Sequence, residues 1–392
     1  MRKYRKAFFL LLTVSFFSCA TRGPLIDTGV PATVPAVELP PQKNYLTIVA
    51  VGDNLYHEVM IKAGEEGDYL PAYGEIRPLV EKADIAFINQ ETLLAGKEFG
   101  FSGYPQFNSP QKLGRAISAA GFNVVNHATN HIMDKGEKAV FATMDFWDTI
   151  PEAAVLGIHR SQEQRELPKL FKKNNITAGI LSYTYGTNGL PVPADKPWLV
   201  SLIDTEIMAG EIDALRPLCD ILLVSMHWGE EYESGYSKSQ AKLAAFLAEH
   251  QVDLVIGHHP HVIQPVEYIL RPDGRLMLCF YSLGNLISAQ TQNAALLGAM
   301  AYVKVEKIKT PDGLDSIVFP DAGAIPLVTH YGGDPPEFKV YPLYAYSEEL
   351  VGKHRKNMEK KELTLEYLSD TAAKIFGEKE IRYNPFNTAN RY

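Results

Sequence analysis

The sequence predicts an α/β protein whose sheets are covered by helices. Two observations predict it. Short apolar runs rich in β-branched residues recur along the chain, and longer segments of helical spacing separate them. The runs are apolar throughout, the pattern of strands buried on both faces.

In order, the strand-like runs are "LTIVAVG" (46–52), "DIAFIN" (84–89), "FNVVNH" (122–127), "ITAGILSY" (176–183), "DILLVSMHW" (220–228), "DLVIGHH" (253–259) and "LMLCFYSLGN" (276–285). The helical segments between them are "IRPLVEKA", "PQKLGRAISAAG", "EKAVFATMDFWDTI", "EIMAGEIDALRPL" and "SKSQAKLAAFLAEHQ". Pro78 and Pro110 sit at helix starts or their borders, where a missing N–H does little harm. The later pair "AMAYVKVEKI" and "GAIPLVTH" has no helical segment between its members and predicts antiparallel additions at a sheet edge. From about residue 340 the chain becomes charged with helical spacing, which predicts a C-terminal helical appendage over 336–392.

The N-terminus has a different character. A basic start, "MRKYRK", leads into the short apolar run "AFFLLLTVSFF" and then "SCA". This is a signal-peptide layout over 1–19, and the run is short for a membrane span. Cys19 stands where a bacterial lipoprotein signal presents its cysteine for lipidation, although Phe16 occupies a position usually held by leucine. Ordinary secretion and a plain transmembrane anchor are the other readings. Residues 20–44 carry Pro24, Pro31, Pro35, Pro40 and Pro41 and read as an extended tether, so the folded part begins near Tyr45 and runs to 335. Together these place the domain outside the cytoplasm, anchored to a membrane through a lipid on Cys19.

Composition excludes some functions. With 46% hydrophobic and 21% charged residues and a formal net charge of -8, the chain is an ordinary globular protein without a basic face. Nucleic acid is therefore not an expected partner. Cys219 and Cys279 lie in apolar runs and read as buried free thiols; a bridge between neighbouring strands is the alternative.

The polar residues that follow the strands carry the chemistry. The runs end in Asp53, Glu91, the pair Asn130 and His131, His227, and "GHHPH" with His258, His259 and His261. In parallel α/β sheets the carboxyl ends of strands converge on one edge, where ligands sit. Imidazoles mixed with carboxylates suit a divalent metal, one or two ions, with Mn, Zn or Fe favoured over Mg. An extended reading of "HHPH" puts His259 and His261 on one side and His258 on the other, with Pro260 stiffening the pair.

The series "VGDNLYH", "INQETLL", "HATNHIMDKG", "SMHWGEEYE", "GHHPHVIQPVE" and "YSLGNLI" resembles the CapA family of bacterial capsule or poly-γ-glutamate synthesis proteins, across about residues 45–290. That family is similar in fold to calcineurin-like metallophosphoesterases, which implies a sandwich of two β-sheets flanked by helices. The resemblance implies that Asp53 binds metal and that Glu91 bridges. It likewise gives Asn130, His227, His259 and His261 as ligands and His131 as a catalytic group acting on the transferred or leaving group. Asp134 implies a supporting role in "NHxxDxG". Glu230 or Glu231 would orient His227 or meet a substrate amine. One departure stands out: the phosphoesterase Asp-x-His motif has Leu55 here at its histidine position, and His57 lies two residues further on.

Implied too is a tethered protein serving an anionic envelope polymer and its biosynthetic machinery, by metal-assisted hydrolysis or transfer. The rival expectations are a non-catalytic polymer-binding or export subunit and a general extracytoplasmic metallophosphoesterase.

Overall fold

A computed structural model describes residues 44–386 apart from 310–312, 314, 335 and 360–361. The signal segment with Cys19, and the tether apart from Asn44, lie outside the described residues. The described residues form one unit.

Among the described residues, fourteen strands build two sheets. They are β1 (Tyr45–Asn54), β2 (Ile85–Gln90), β3 (Val124–Asn126), β4 (Ala154–Leu156), β5 (Leu170–Lys173), β6 (Ile176–Thr184) and β7 (Ile221–His227), then β8 (Leu254–His258), β9 (Val266–Leu270), β10 (Leu276–Phe280), β11 (Asn285–Ile287), β12 (Leu297–Lys309), β13 (Asp315–Gly332) and β14 (Glu337–Pro342). One sheet has the order β14-β13-β12-β1-β2-β3-β4, with β11 also on β1; the other runs β5-β6-β7-β8-β10-β9. β1 to β4 are mutually parallel, as are β6, β7, β8 and β10. The chain is thus a sandwich of two mixed sheets with helices on the outside.

Alternation along each strand explains the continuous apolar runs. In β1, Leu46, Ile48 and Ala50 enter a core shared with Ile180, Leu223, Ile256 and Phe280 of the other sheet. Val49 and Val51 point the opposite way, into a core with Leu113, Ile117, Phe146 and Trp147 from the helices Gln111–Ala119 and Glu137–Trp147. On the second sheet, Leu222, Val224 and Val255 meet Met208, Ile212 and Leu247 from Thr205–Leu215 and Lys238–Glu249. With both faces covered, both kinds of position are largely apolar along the strands. Asp204 caps the third of these helices, and a Ser237–Gln240 capping box starts the fourth.

Several details differ from expectation. The "AMAYVKVEKI" strand, β12, is interior, between β1 and β13, and the outer strand there is β14. β14 alternates buried and half-exposed residues, so the sheet continues past residue 335. The helices Glu348–Lys353 and Leu365–Phe376 follow, with Val351, Leu368, Ala372 and Phe376 in the core between the sheets. β5 and β9 escaped the sequence because both are edge strands whose residues are mostly not buried. Cys219 is only half-buried and Cys279 is buried; both are free thiols. Among the described residues no helix is long and apolar enough to cross a membrane.

The two sheets meet at their strand ends through a backbone contact that only glycine allows. A Cβ on Gly52 would lie 1.9 Å from the Gly284 carbonyl oxygen, and one on Gly257 1.9 Å from that of Tyr281. The segment 281–284 therefore stitches β1 to β8: Asp53 N–H donates to Gly284 O at 2.8 Å and Leu283 N–H to Gly257 O at 3.1 Å.

Gly257→Ala should accordingly cost more than about 2 kcal/mol, the scale of severe overpacking, read as a lowered urea midpoint; an unchanged midpoint would show that the approach can relax. Acid should also weaken the fold. Burial pushes His127, whose Nε2 accepts from Trp147 Nε1–H at 2.8 Å, down to about 3, and pushes His159 to about 3 as well. The unfolded chain takes up these protons below about pH 6.5 while the folded one does not. Their contribution is complete above that pH and is lost as pH falls, by at most about 1.4 kcal/mol per pH unit and group. A urea midpoint that stays level from pH 6.5 to 4 would contradict this.

Candidate metal centre

The site is built where the buried strands of both sheets end. Asp53 closes β1 and is fully buried. Its register partner on β2 is Asn89, whose own partner on β3 is Asn126. Asn89 Nδ2 donates to Asp53 Oδ1 at 2.8 Å, and Asn126 Nδ2 donates to Asn89 Oδ1 at 2.7 Å. Ser182 Oγ of β6 completes the chain by donating to Asn126 Oδ1. A line of neutral donors thus runs across both sheets to hold one carboxylate. Burial alone would raise the Asp53 pKa, but its hydrogen bond with His261 and the imidazoles of His258 and His259 keep it below the ordinary value.

Glu91 follows β2 and has the opposite character. Both of its oxygens are buried without a hydrogen-bond partner. Burial, and then the charge of Asp53, push its pKa well up. His227 ends β7, with Nε2 2.9 Å from Asn130 Oδ1 and 3.9 Å from Glu91 Oε1. An amide oxygen only accepts, so Nε2 carries the proton here, and the buried Nδ1 has no partner.

The "HHPH" segment is not extended. β8 stops at His258, and His259 and His261 take left-handed conformations, φ 97° and 59°. Such backbone in a non-glycine residue persists only where its surroundings hold it; here Tyr232 N–H donates to Pro260 O at 2.8 Å. A turn, rather than strand alternation, brings the rings of His259 and His261 to 5.9 Å between centroids, and those of His227 and His259 to 5.0 Å. His258 stays in the strand against Phe87, with Nδ1 3.8 Å from Asp53 Oδ1, so it borders the carboxylate rather than facing away. His261 Nδ1 lies 3.1 Å from both Asp53 Oδ2 and Asn285 Oδ1. Two acceptors fix the proton on Nδ1, and Nε2 remains, 3.8 Å from Glu91 Oε1.

Donor atoms of Glu91, His227 and His259 lie within 4.8 Å of one another, as do those of Asp53, Glu91 and His261, and of Glu231, His259 and His261. Glu91 is common to the first two groups, and Asn130 joins the first through His227. The residues fit a divalent cation: a buried carboxyl group without a hydrogen bond, 3.9 Å from His227 Nε2 and 3.8 Å from His261 Nε2, is costly without one. Leu55 is buried and offers no donor. His57 belongs to none of these groups; its Nδ1 lies 3.3 Å from the Ala289 N–H.

His131 stands beside this set. Its Nδ1 is 2.8 Å from Asp134 Oδ2, which also accepts from Phe107 N–H at 2.7 Å. The Asn188 amide, at 3.4 Å from the same Nδ1, cannot also donate to it. Instead, Asn188 Oδ1 accepts from Asn130 Nδ2 and from the Tyr185 hydroxyl, each at 3.2 Å. Tyr185 and Tyr232 are partly exposed, their rings 4.6 Å from His259 and 6.1 Å from His261. The sequence reading passed over Asn89, Asn126, Asn188, Asn285, Tyr185 and Tyr232. Asn89 and Asn126 had a signal, since each is a polar residue at the end of an apolar strand. Asn188 and the tyrosines sit on loops and had none.

Residues 47–290 match the family model for the bacterial capsule synthesis protein PGA_cap. The chain belongs to this family. Its relatives include the PGA biosynthesis protein CapA of Bacillus subtilis, 29% identical over 47% of this chain and 48% of that protein. The capsule biosynthesis protein CapA of Bacillus anthracis is 28% identical over 47% and 45% respectively. The chain spans about half the length of the curated relatives it matches. Among solved structures, the NAD nucleotidase of Haemophilus influenzae has a TM-score of 0.42 at 11% identity, covering 86% of this chain and 63% of that one.

Glu91, buried without a hydrogen-bond partner, costs the fold stability where it stands. Glu91→Gln removes a carboxyl group whose ionisation burial and Asp53 oppose, and with it the cost of keeping that group unionised or unpaired, so metal-stripped protein should melt several degrees higher than the parent. With metal supplied the order should reverse. A melting point lowered in both states would mean that Glu91 has a structural role only.

Proposed function

We propose that this family member is an extracytoplasmic protein tethered through Cys19, which serves assembly of a capsule polymer of the poly-γ-glutamate type by metal-dependent hydrolysis or transfer. The observation that carries the catalytic part is Glu91, a buried carboxylate without a hydrogen bond that is shared by two convergent donor groups. Family membership supports the polymer and an association with its biosynthetic machinery.

In this reading Asp53, Glu91 and His261 would hold one ion, and Glu91, His227 and His259, with Asn130 beside His227, would hold a second. A bound divalent ion polarises the oxygen of a phosphoryl or amide group and favours ionisation of water at neutral pH. The chain's residues do the rest. Asp134 accepts from His131 Nδ1–H, which fixes the tautomer and leaves Nε2 to exchange a proton with substrate. Protonated there, His131 gives that proton to the leaving group; neutral, it takes one from the nucleophile. The Phe107 backbone bond to Asp134 keeps the pair in register. Asn188 turns the Asn130 amide so that Oδ1 faces His227. Tyr185 and Tyr232 give the mouth two faces on which a polymer backbone can lie.

Two variants test this on the purified chain, with a phosphate ester and a γ-linked glutamate oligomer as substrates. His131→Ala should lower turnover by about 100-fold or more, the usual scale for proton transfer, with metal content unchanged. His259→Ala with His261→Ala should lower both. If the purified parent turns over neither substrate and His131→Ala leaves polymer output in cells unchanged, a non-catalytic polymer-binding subunit replaces the enzyme.

A further inference from the structure

The donor sets around Glu91 are unequal. The group containing His227 has Asn130 beside it, whereas the group containing Asp53 has no fourth donor from its own strand. Leu55 is buried, and its backbone N–H donates to Ile287 O at 3.0 Å. His57 cannot serve: Nδ1 meets Ala289 N–H, the ring packs on Phe107, and it joins none of the convergent groups.

A different element reaches this place. The loop after β7 reads "WGEEYES", and both Gly229 (φ 93°) and Tyr232 (φ 66°) are left-handed. Three contacts hold it down. Tyr232 N–H donates to Pro260 O inside the histidine turn at 2.8 Å. The Tyr232 hydroxyl accepts from Gln290 Nε2 at 3.1 Å, and Gln290 Oε1 accepts from Asn285 Nδ2 at 2.8 Å. Gln264, fully buried, donates through Nε2 to Glu233 O at 2.8 Å and to Gly235 O at 3.1 Å. Glu231 therefore sits beside Tyr232, which ties the loop to the turn that carries His259 and His261, while ahead of it Trp228 N–H donates to His258 O at 3.1 Å. Its carboxylate lies within 4.8 Å of donor nitrogens on both histidines. Its charge acts on Glu91 and on His261.

We propose that Glu231 is a further metal ligand, which supplies the donor that Leu55 does not and spans His259 and His261 from the solvent side as Glu91 spans the two groups from within. This rests on the metal centre proposed above. It assigns the first glutamate beyond "HWGE" to the ion itself rather than to orienting His227. It also gives the centre a carboxylate that is exposed in the absence of metal, whereas Asp53 and Glu91 are fully buried.

The test is metal binding, not turnover. Metal-stripped full-length chain is titrated with Mn²⁺ by calorimetry and followed by Mn²⁺ electron paramagnetic resonance, for the parent, Glu231→Gln, Glu230→Gln and His57→Ala. Expected is a loss of at least about tenfold in affinity for one ion in Glu231→Gln alone, with a changed Mn²⁺ spectrum and an unchanged melting point of the stripped protein. Glu231→Asp should recover part of the affinity. Parent-like affinity and spectrum in Glu231→Gln would overturn the assignment and leave the centre standing. A parent that takes up neither Mn²⁺ nor Zn²⁺ would overturn the centre, and this ligand with it.

Discussion

The backbone contact of Gly52 and Gly257 with the 281–284 segment is the constraint on which the site depends. Two sheets that pack through side chains keep their strands about 10 Å apart, too far for one carboxylate to meet histidines from the opposite sheet. Removing two Cβ atoms lets β1 and β8 close on a shared strip of chain. Asp53 then lies within hydrogen-bond reach of the turn after β8. The core sets which strands face each other; these glycines set how closely their ends converge.

Charge at that junction is arranged unevenly. Asp53 is stabilised by a relay of amides and by imidazoles, so it remains a carboxylate although fully buried. Glu91 receives no such support. One buried acid is thus satisfied by protein, and the other is left for something from outside. His131 shows a third arrangement, with Asp134 fixing one ring nitrogen and the other left to act. These differences follow from which neighbours the strand register delivers, since Asn89 pairs with Asp53 while Glu91 lies just beyond the end of β2.

The two-sheet architecture could be read from the chain because buried strands are largely apolar until they end, and the same pattern singled out Asp53, Glu91, Asn130, His227, His259 and His261 as candidate donors. A polar residue there is conspicuous. The geometry of "HHPH" was not legible, because a left-handed turn in non-glycine residues leaves no mark in residue type. Nor was the place of β12, whose apolar run is the same at an edge or in the interior. β5 and β9 were hidden for the converse reason, being too exposed to show a continuous run. The order of the sheets depends on packing between distant segments, and Asn188 and Tyr232 matter only through where their loops are fastened.

The separation of the site's parts along the chain has its own consequence. Asp53 and His261 are 208 residues apart, and Asn130 and His227 are 97 apart. Contacts of such long sequence separation form late, because a long loop must close before they gain anything. No isolated fragment of either sheet carries the full set of donors. An ion that needs donors from both sheets would therefore bind only chains whose two halves have docked. It would act as a clasp that holds finished molecules together and draws the folding equilibrium towards them by mass action. The supply of metal would then govern how long the protein lasts as well as what it does.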